Sequence, residues 1–241
     1  MTAHTRPRFA SASQGNYDLI LATFCGLLLI SNVGATKLIQ FGPTLELGGY
    51  PVLPIITDGG ALLFPLTYVL GDVLAEVYGL RRAHRAILTG FVLAALMSLT
   101  FLAVSSAPPA DGWPNQDAWA AVLGFVPRIV VASLAGYLCG QLLNAVVLVR
   151  LKRRADEKRL WVRLVSSTVV GEFADTLIFC SIAFGPVGAF LGGGSVDLVT
   201  LINYTVVGFV YKVSVEVLFL PITYRVIAWV KRHEPDYATT S

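Results

Sequence analysis

Residues 64–79, Phe64-Pro65-Leu66-Thr67-Tyr68-Val69-Leu70-Gly71-Asp72-Val73-Leu74-Ala75-Glu76-Val77-Tyr78-Gly79, decide the fold. The run is apolar enough for a membrane helix, yet it holds two carboxylates. Tyr68, Asp72 and Glu76 are spaced i, i+4, i+8 and therefore share one helix face. A charge at the bilayer centre costs a few kcal/mol even on the mildest scales, so it is seldom turned to lipid. A helix of this pattern belongs in a membrane bundle, with its acidic face turned inward.

The rest of the chain has the same character. Of 241 residues, 55% are hydrophobic and 14% charged, with a mean hydropathy of +0.69. A soluble domain carries about a quarter charged residues. The apolar excess falls in long runs, and a membrane span needs roughly 20 residues. Six spans are expected, at about 18–39, 60–80, 86–107, 119–149, 164–184 and 198–230, in one integral membrane domain covering 1–241. The fourth and sixth are over-long, so Pro127 is a plausible break and Pro221 a plausible kink. The first run follows His4, Arg6 and Arg8 but lacks a clear small-residue cleavage site, so it reads as a span rather than a signal peptide.

Loop charges set the direction. Arg6 and Arg8 precede span one; Arg81, Arg82 and Arg85 follow span two. Arg150, Lys152, Arg153, Arg154, Lys158, Arg159 and Arg163 follow span four, and Lys231 and Arg232 follow span six. The other three connections carry Glu46, Asp58, Asp111, Asp117 and Asp197 and no Lys or Arg. That alternation requires an even span count with both termini cytoplasmic. Four or five spans would leave a basic loop outside. In the 41–59 loop, Thr44–Leu53 is expected to form a short hairpin around Gly48-Gly49. Gly192-Gly193-Gly194 reads as a flexible turn, since the phosphate-cradling GxxxxGK[ST] pattern is absent.

Several functions are excluded. The net charge of +3 is dispersed, which argues against nucleic acid. Cys25, Cys139 and Cys180 lie in apolar runs without metal spacing, so neither a disulfide framework nor a cofactor is expected. HExxH and GxSxG are missing, and His4, His84 and His233 fall outside the expected spans, so an enzyme is not expected.

The polar residues inside the spans form stripes. Beside Tyr68, Asp72 and Glu76 stand Tyr137, Gln141 and Asn144; Thr168, Glu172 and Asp175; and Tyr204, Gly208, Lys212 and Glu216. Asn32 and Thr36 add to the first span, while the third has no charge and reads as a lipid-facing or packing helix. Lys212 and Arg128 could each neutralise a carboxylate as structural pairs. Five deep acids, Asp72, Glu76, Glu172, Asp175 and Glu216, nevertheless outnumber three deep bases, Lys37, Arg128 and Lys212. Surplus buried carboxylates take up protons or bind something cationic or rich in N–H donors. A polar cavity in an all-α bundle is therefore expected. Gly71-Asp72 and Gly171-Glu172 sit at corresponding places in the two halves, which suggests a 3+3 inverted repeat.

The 64–79 stretch resembles the signature of the queuosine precursor transporter family. The resemblance extends to Asn32, Lys37, Glu172, Asp175, Phe179, Tyr211, Lys212 and Pro221. It implies a six-span bacterial inner-membrane protein that takes up 7-cyano-7-deazaguanine or its aminomethyl form for tRNA modification. The implied partners are this purine-like small molecule and the lipid bilayer, with a homodimer left open. A deazaguanine presents an N1–H and an exocyclic amine along one edge, and a carboxylate accepts both. Glu76 or Glu172 would read that edge, with Asp72 or Asp175 beside it. Asn32, Gln141 and Asn144 would bond the carbonyl and ring nitrogens. Tyr68, Phe179, Tyr204 or Tyr211 would stack on the ring, and Lys212 would pair with an acid when the site is empty. The alternative is a substrate-binding subunit of an energy-coupling complex, which needs a separate ATPase because this chain has no ATP signature. On the sequence alone, Glu76→Gln and Glu172→Gln are each expected to abolish uptake of labelled base while leaving the protein folded.

Overall fold

A backbone in hydrocarbon has no water to bond to, so the apolar runs fold as helices that satisfy their own amides. The computed structural model describes residues 15–47, 50–154, 160–189 and 195–234. Helix α1 (Tyr17–Gly34) leads into a hairpin of β1 (Leu38–Leu47) and β2 (Tyr50–Asp58), then a 3-10 turn (Gly59–Leu62). Next come α2 (Phe64–Tyr78), α3 (Leu80–Ser106), α4 (Gln116–Leu123) and α5 (Val126–Arg154). The chain continues through α6 (Leu160–Ala183), the short α7 (Pro186–Ala189) and α8 (Leu198–His233). The protein is mostly helical. Among the described residues, four stretches are long and apolar enough to cross a membrane: Tyr17–Gly34, Arg81–Ser106, Gln116–Gly140 and Leu198–His233.

The structure moves several expected boundaries. Span one stops at Gly34, short of residue 39, because Leu38 already pairs with Asp58 in the hairpin. The hairpin is longer than expected and corrects the all-α reading. Its antiparallel register shifts between Phe41 and Leu45, where Gly42-Pro43 interrupts the ladder; Gly48-Gly49, like Gly192-Gly193-Gly194, lies outside the described residues. The expected 60–80 span is a 3-10 turn followed by a 15-residue helix. At 1.5 Å per residue α2 is about 22 Å long, less than the roughly 30 Å of a hydrocarbon core.

Gly79 ends α2 with φ +81, a left-handed conformation that turns the chain straight into α3. Arg81, Arg82 and Arg85 therefore ride on the first turns of α3 instead of a loop. The fourth span breaks at Gly124-Phe125, and Pro127 follows as the second residue of α5, where a missing N–H costs little. Pro221 lies inside α8, which runs through it as one helix. Asp197 caps α8 by accepting Thr200 N–H at 2.9 Å, and its hydrogen bonds to Thr200 hold the carboxyl below its usual range.

Small residues bring α5 and α6 together. A Cβ on Gly140 would stand 2.9 Å from the Gly171 carbonyl oxygen, and one on Gly136 2.8 Å from that of Asp175. Such close backbone approach is how membrane helices pack. At the far end of this pair lies Arg128, only 3% exposed. Its Nε donates to the Ile182 carbonyl at 2.8 Å and its Nη2 to the Gly185 carbonyl at 3.0 Å, with the guanidinium 5.3 Å over the Phe125 ring. Arg128 thus caps the end of α6 by bonding the Ile182 carbonyl, and it joins Gly188 N–H on the Gly185 carbonyl of the turn that follows.

The opposite end of the bundle is tied by Glu234, 5% exposed, which accepts Asn16 N–H at 2.7 Å and the Tyr78 hydroxyl at 2.6 Å. Tyr17 packs edge-on against Tyr78 and under the Arg82 guanidinium. The starts of α1 and α3 and the ends of α2 and α8 meet there.

The Arg128 cap has a measurable consequence. Arg128→Met keeps the stem and removes the donors, leaving the Ile182 carbonyl without its Arg128 bond at a cost of about 1–3 kcal/mol. The variant is expected to melt well below the wild type in detergent or to fail to accumulate. An unchanged melting temperature would show that the cap carries no stability.

Candidate functional site

Between the helices lies a cavity of about 440 Å³, walled by α1, α2, α3, α5, α6 and α8 and by the Thr57–Ala61 segment. Its centre is a network of buried charge. Lys212 on α8 bonds Asp175 on α6, and its Nζ stands 3.9 Å from Glu172 Oε2. Tyr68 on α2 donates its hydroxyl to the same Glu172 oxygen at 3.1 Å. The side chains of Lys212, Glu172 and Asp175 are 14%, 19% and 21% exposed, so the ion pairs are largely out of water. Helical periodicity explains the placement. Glu172 and Asp175 are i, i+3 on α6, and Tyr204, Gly208 and Lys212 repeat every four residues on α8.

One end of the cavity is closed by backbone. Asp58 at the end of β2 accepts Ala61 N–H at 3.1 Å and takes the Tyr204 hydroxyl. Tyr211 donates to the Ala61 carbonyl at 3.0 Å and Ser31 to the Gly60 carbonyl at 3.1 Å. These bonds fix the 3-10 turn between α1 and α8. The wall nearer the start of α3 is aromatic, with Phe24, Phe91 and Tyr137; the last two rings are 5.3 Å apart. His84 lines this part and is exposed, whereas Tyr204, Thr176 and Cys180 at the closed end are buried.

The residues singled out from the sequence divide. Asn32, Tyr68, Asp72, Glu172, Asp175, Phe179, Tyr204, Tyr211 and Lys212 all line the cavity. Asn32 is already engaged: its amide donates to the Leu28 carbonyl at 2.9 Å and its oxygen accepts from Ser133 at 3.3 Å. Glu76 does not line the cavity. Two turns beyond Tyr68, or about 12 Å along the axis, it has reached the end of α2, where it is 59% exposed and meets Lys231 at 2.8 Å. The side chains of Gln141, Asn144 and Thr168 lie outside the described residues, although their backbones are helical. Lys37 is exposed in the turn before β1.

Asp58, His84, Ser133 and Thr176 line the cavity without having been singled out as site residues. The expected 86–107 span leaves His84 in a loop, whereas α3 begins at Leu80 and carries it. Asp58 was counted as an outer-loop acid, though its place before Gly59-Gly60 and an apolar run marks a helix cap. Among the described lining residues, four carboxylates, Asp58, Asp72, Glu172 and Asp175, face one ammonium, Lys212. No group of three or more His, Cys, Asp or Glu side chains that could hold a metal ion occurs among the described residues. The arrangement suits a ligand whose N–H donors compete with Lys212 and Tyr68 for carboxylate oxygens.

Comparison with known proteins places the chain in a family. Residues 58–226 match a family described as "Putative vitamin uptake transporter". A Bacillus subtilis protein named "Probable queuosine precursor transporter" is 32% identical over 61% of this chain and 62% of its own length. A Haemophilus influenzae protein of the same name is 30% identical over 75% of both chains. The "Queuosine precursor transporter" of Escherichia coli is 33% identical over 55% of this chain and 58% of its own length. The match thus spans less than two thirds of the Bacillus and Escherichia relatives. No solved structure matches. A multi-helix membrane chain with this coverage belongs to the queuosine precursor transporter family, whose members are transporters and not enzymes.

Proposed function

We propose that the chain imports queuosine precursors, 7-cyano-7-deazaguanine and 7-aminomethyl-7-deazaguanine, across the bacterial inner membrane by secondary transport. The observation that carries this reading is the Lys212–Asp175–Glu172–Tyr68 network in the cavity wall. In the empty cavity Lys212 neutralises the two α6 acids. A deazaguanine edge brings an N–H and an amine that satisfy Glu172 in bidentate fashion, and Lys212 stays on Asp175. Asp72 offers a further carboxylate for the ammonium of the aminomethyl form. Phe179, Tyr204 and Tyr211 supply flat surface, while Asn32, through Ser133, sets the spacing of α1 and α5. Gln141 and Asn144 remain candidates for the ring nitrogens. Glu76 is left out, because its partner is Lys231 at the helix end.

The same reading has six crossings, by α1, α2, α3, α5, α6 and α8, with both termini cytoplasmic. Helix α2 crosses with help from the non-helical Thr57–Leu62 segment. Irregular backbone is tolerated at membrane depth where it lines a cavity. In a 3+3 inverted repeat α2 and α6 are counterparts, and they meet through Tyr68 and Glu172. Transporters place substrate where such halves join.

Uptake into liposomes holding only the purified protein, without ATP, is expected for 7-cyano-7-deazaguanine and not for adenine. Failure without ATP would favour the other reading, a substrate-binding subunit that needs a separate ATPase. Glu172→Gln is expected to reduce uptake by roughly 10- to 100-fold, the range for a lost bond to a charged group. Glu76→Gln is expected to stay within about fivefold of wild type, because exposed pairs contribute about 1 kcal/mol or less. The reverse order would move the site to the end of α2.

A further inference from the structure

The common pattern for hydroxyls in these helices is a bond to the carbonyl four residues back. Thr23, Ser98, Thr100, Ser181 and Thr205 each make this bond, at 2.7–3.0 Å. Thr176 departs from it. It sits mid-way along α6, is 2% exposed, and its hydroxyl oxygen has neither solvent contact nor a hydrogen-bond partner among the described residues. Burying a hydroxyl without a partner lowers stability, so such a group calls for an explanation. Thr176 also lines the cavity, beside Asp175, with its methyl facing Gly208 of α8. Threonine in a helix divides between two χ1 rotamers, so the hydroxyl can turn to a ligand without a backbone shift.

The chemistry of the neighbours fixes what that ligand group would be. Carboxylates at neutral pH only accept, so Glu172 and Asp175 read N–H groups. In a cyclic amide an N–H lies beside a carbonyl, and the carbonyl needs a donor. The hydroxyls of Tyr68, Tyr204, Tyr211, Ser31 and Ser133 are already given to Glu172, Asp58, Ala61, Gly60 and Asn32. Lys212 is held between two acids.

We propose that the Thr176 hydroxyl is a specificity-determining contact, donating to a ring carbonyl whose neighbouring N–H is taken by the α6 carboxylates. The cavity then selects a cyclic-amide edge, as in a 6-oxo purine-like base, over a 6-amino edge. This rests on the reading of the cavity as the transport site. It also accounts for the orphan hydroxyl, which is satisfied only when cargo is bound.

Thr176→Val keeps the shape and removes the hydroxyl. The empty variant is expected to melt at or above the wild-type temperature, because no protein partner is lost. Its KM for 7-cyano-7-deazaguanine is expected to rise about 3- to 10-fold, the span of one hydrogen bond, with the maximal rate preserved. Thr176→Ser is expected to restore the affinity. Competition by the 6-amino analogue, which has no carbonyl to receive the bond, is expected to be the same in both proteins. Unchanged KM in Thr176→Val, or a lower melting temperature of the empty variant, overturns this inference alone. Failure of wild type to bind or transport the cyano base overturns the transport reading and the inference with it.

Discussion

The Lys212 ammonium between Glu172 and Asp175 is the contact on which the rest of the bundle depends. Three unpaired charges at this depth would be prohibitive, but together, with Tyr68 completing Glu172, they satisfy one another. The bonds run between helices. Lys212 fastens α8 to α6, and Tyr68 fastens α2 to α6. Gly136 and Gly140 then let α5 lie against the backbone that carries both acids. Removing one partner of a buried pair is strongly destabilising because it strands the other, whereas a ligand that replaces a partner strands nothing. The network is therefore tolerant of exchange and intolerant of loss, which is the behaviour a binding site at membrane depth requires.

The cavity around it is asymmetric. At one end the Asp58–Ala61 backbone is pinned by Tyr204, Tyr211 and Ser31, and the side chains there are buried. At the other, Asp72 and His84 are exposed. The closed end is held by several hydrogen bonds to one short segment, so access there changes only when that segment moves as a unit. The 15-residue length of α2 and the 3-10 turn before it have the same origin. The chain stops being helical where its carbonyls take hydroxyl donors from α1 and α8 and its N–H groups turn to Asp58 and Lys37.

Much of this was legible in the sequence because helical spacing is reliable over one turn. Glu172 with Asp175, and Tyr204 with Gly208 and Lys212, repeat at three or four residues and arrive in one wall. The same rule fails over longer reach. Glu76 shares the Tyr68 and Asp72 face, yet two turns of rise carry it out to Lys231. Face can be read from spacing, whereas depth depends on where the helix begins and ends. Placing the start of α3 several residues late hid His84, and ending α1 late hid the strand that brings Asp58 inward. Arg128 was legible as a deep charge but not as a cap, since its partners are carbonyls that no side-chain pattern reveals.

These shifts change the meaning of the charge count. Read over whole spans, five acids stood against three bases. In the cavity, Arg128 is engaged with the end of α6, Lys37 is exposed, Glu76 is paired elsewhere and Glu216 does not line the wall, while Asp58 has joined it. Four lining carboxylates then face one lining ammonium. Two of the four, Glu172 and Asp175, share that ammonium, and Asp58 is held by donors from Tyr204 and Ala61. Asp72 is exposed and makes no hydrogen bond or ion pair among the described residues. The surplus is thus spatially resolved. On the proposed transport reading, a neutral cargo with adjacent N–H groups would answer to the α6 pair, and positive charge, as a proton or a cargo ammonium, to Asp72. The two demands fall on different helices, so a single cargo with both features would engage α2 and α6 at once.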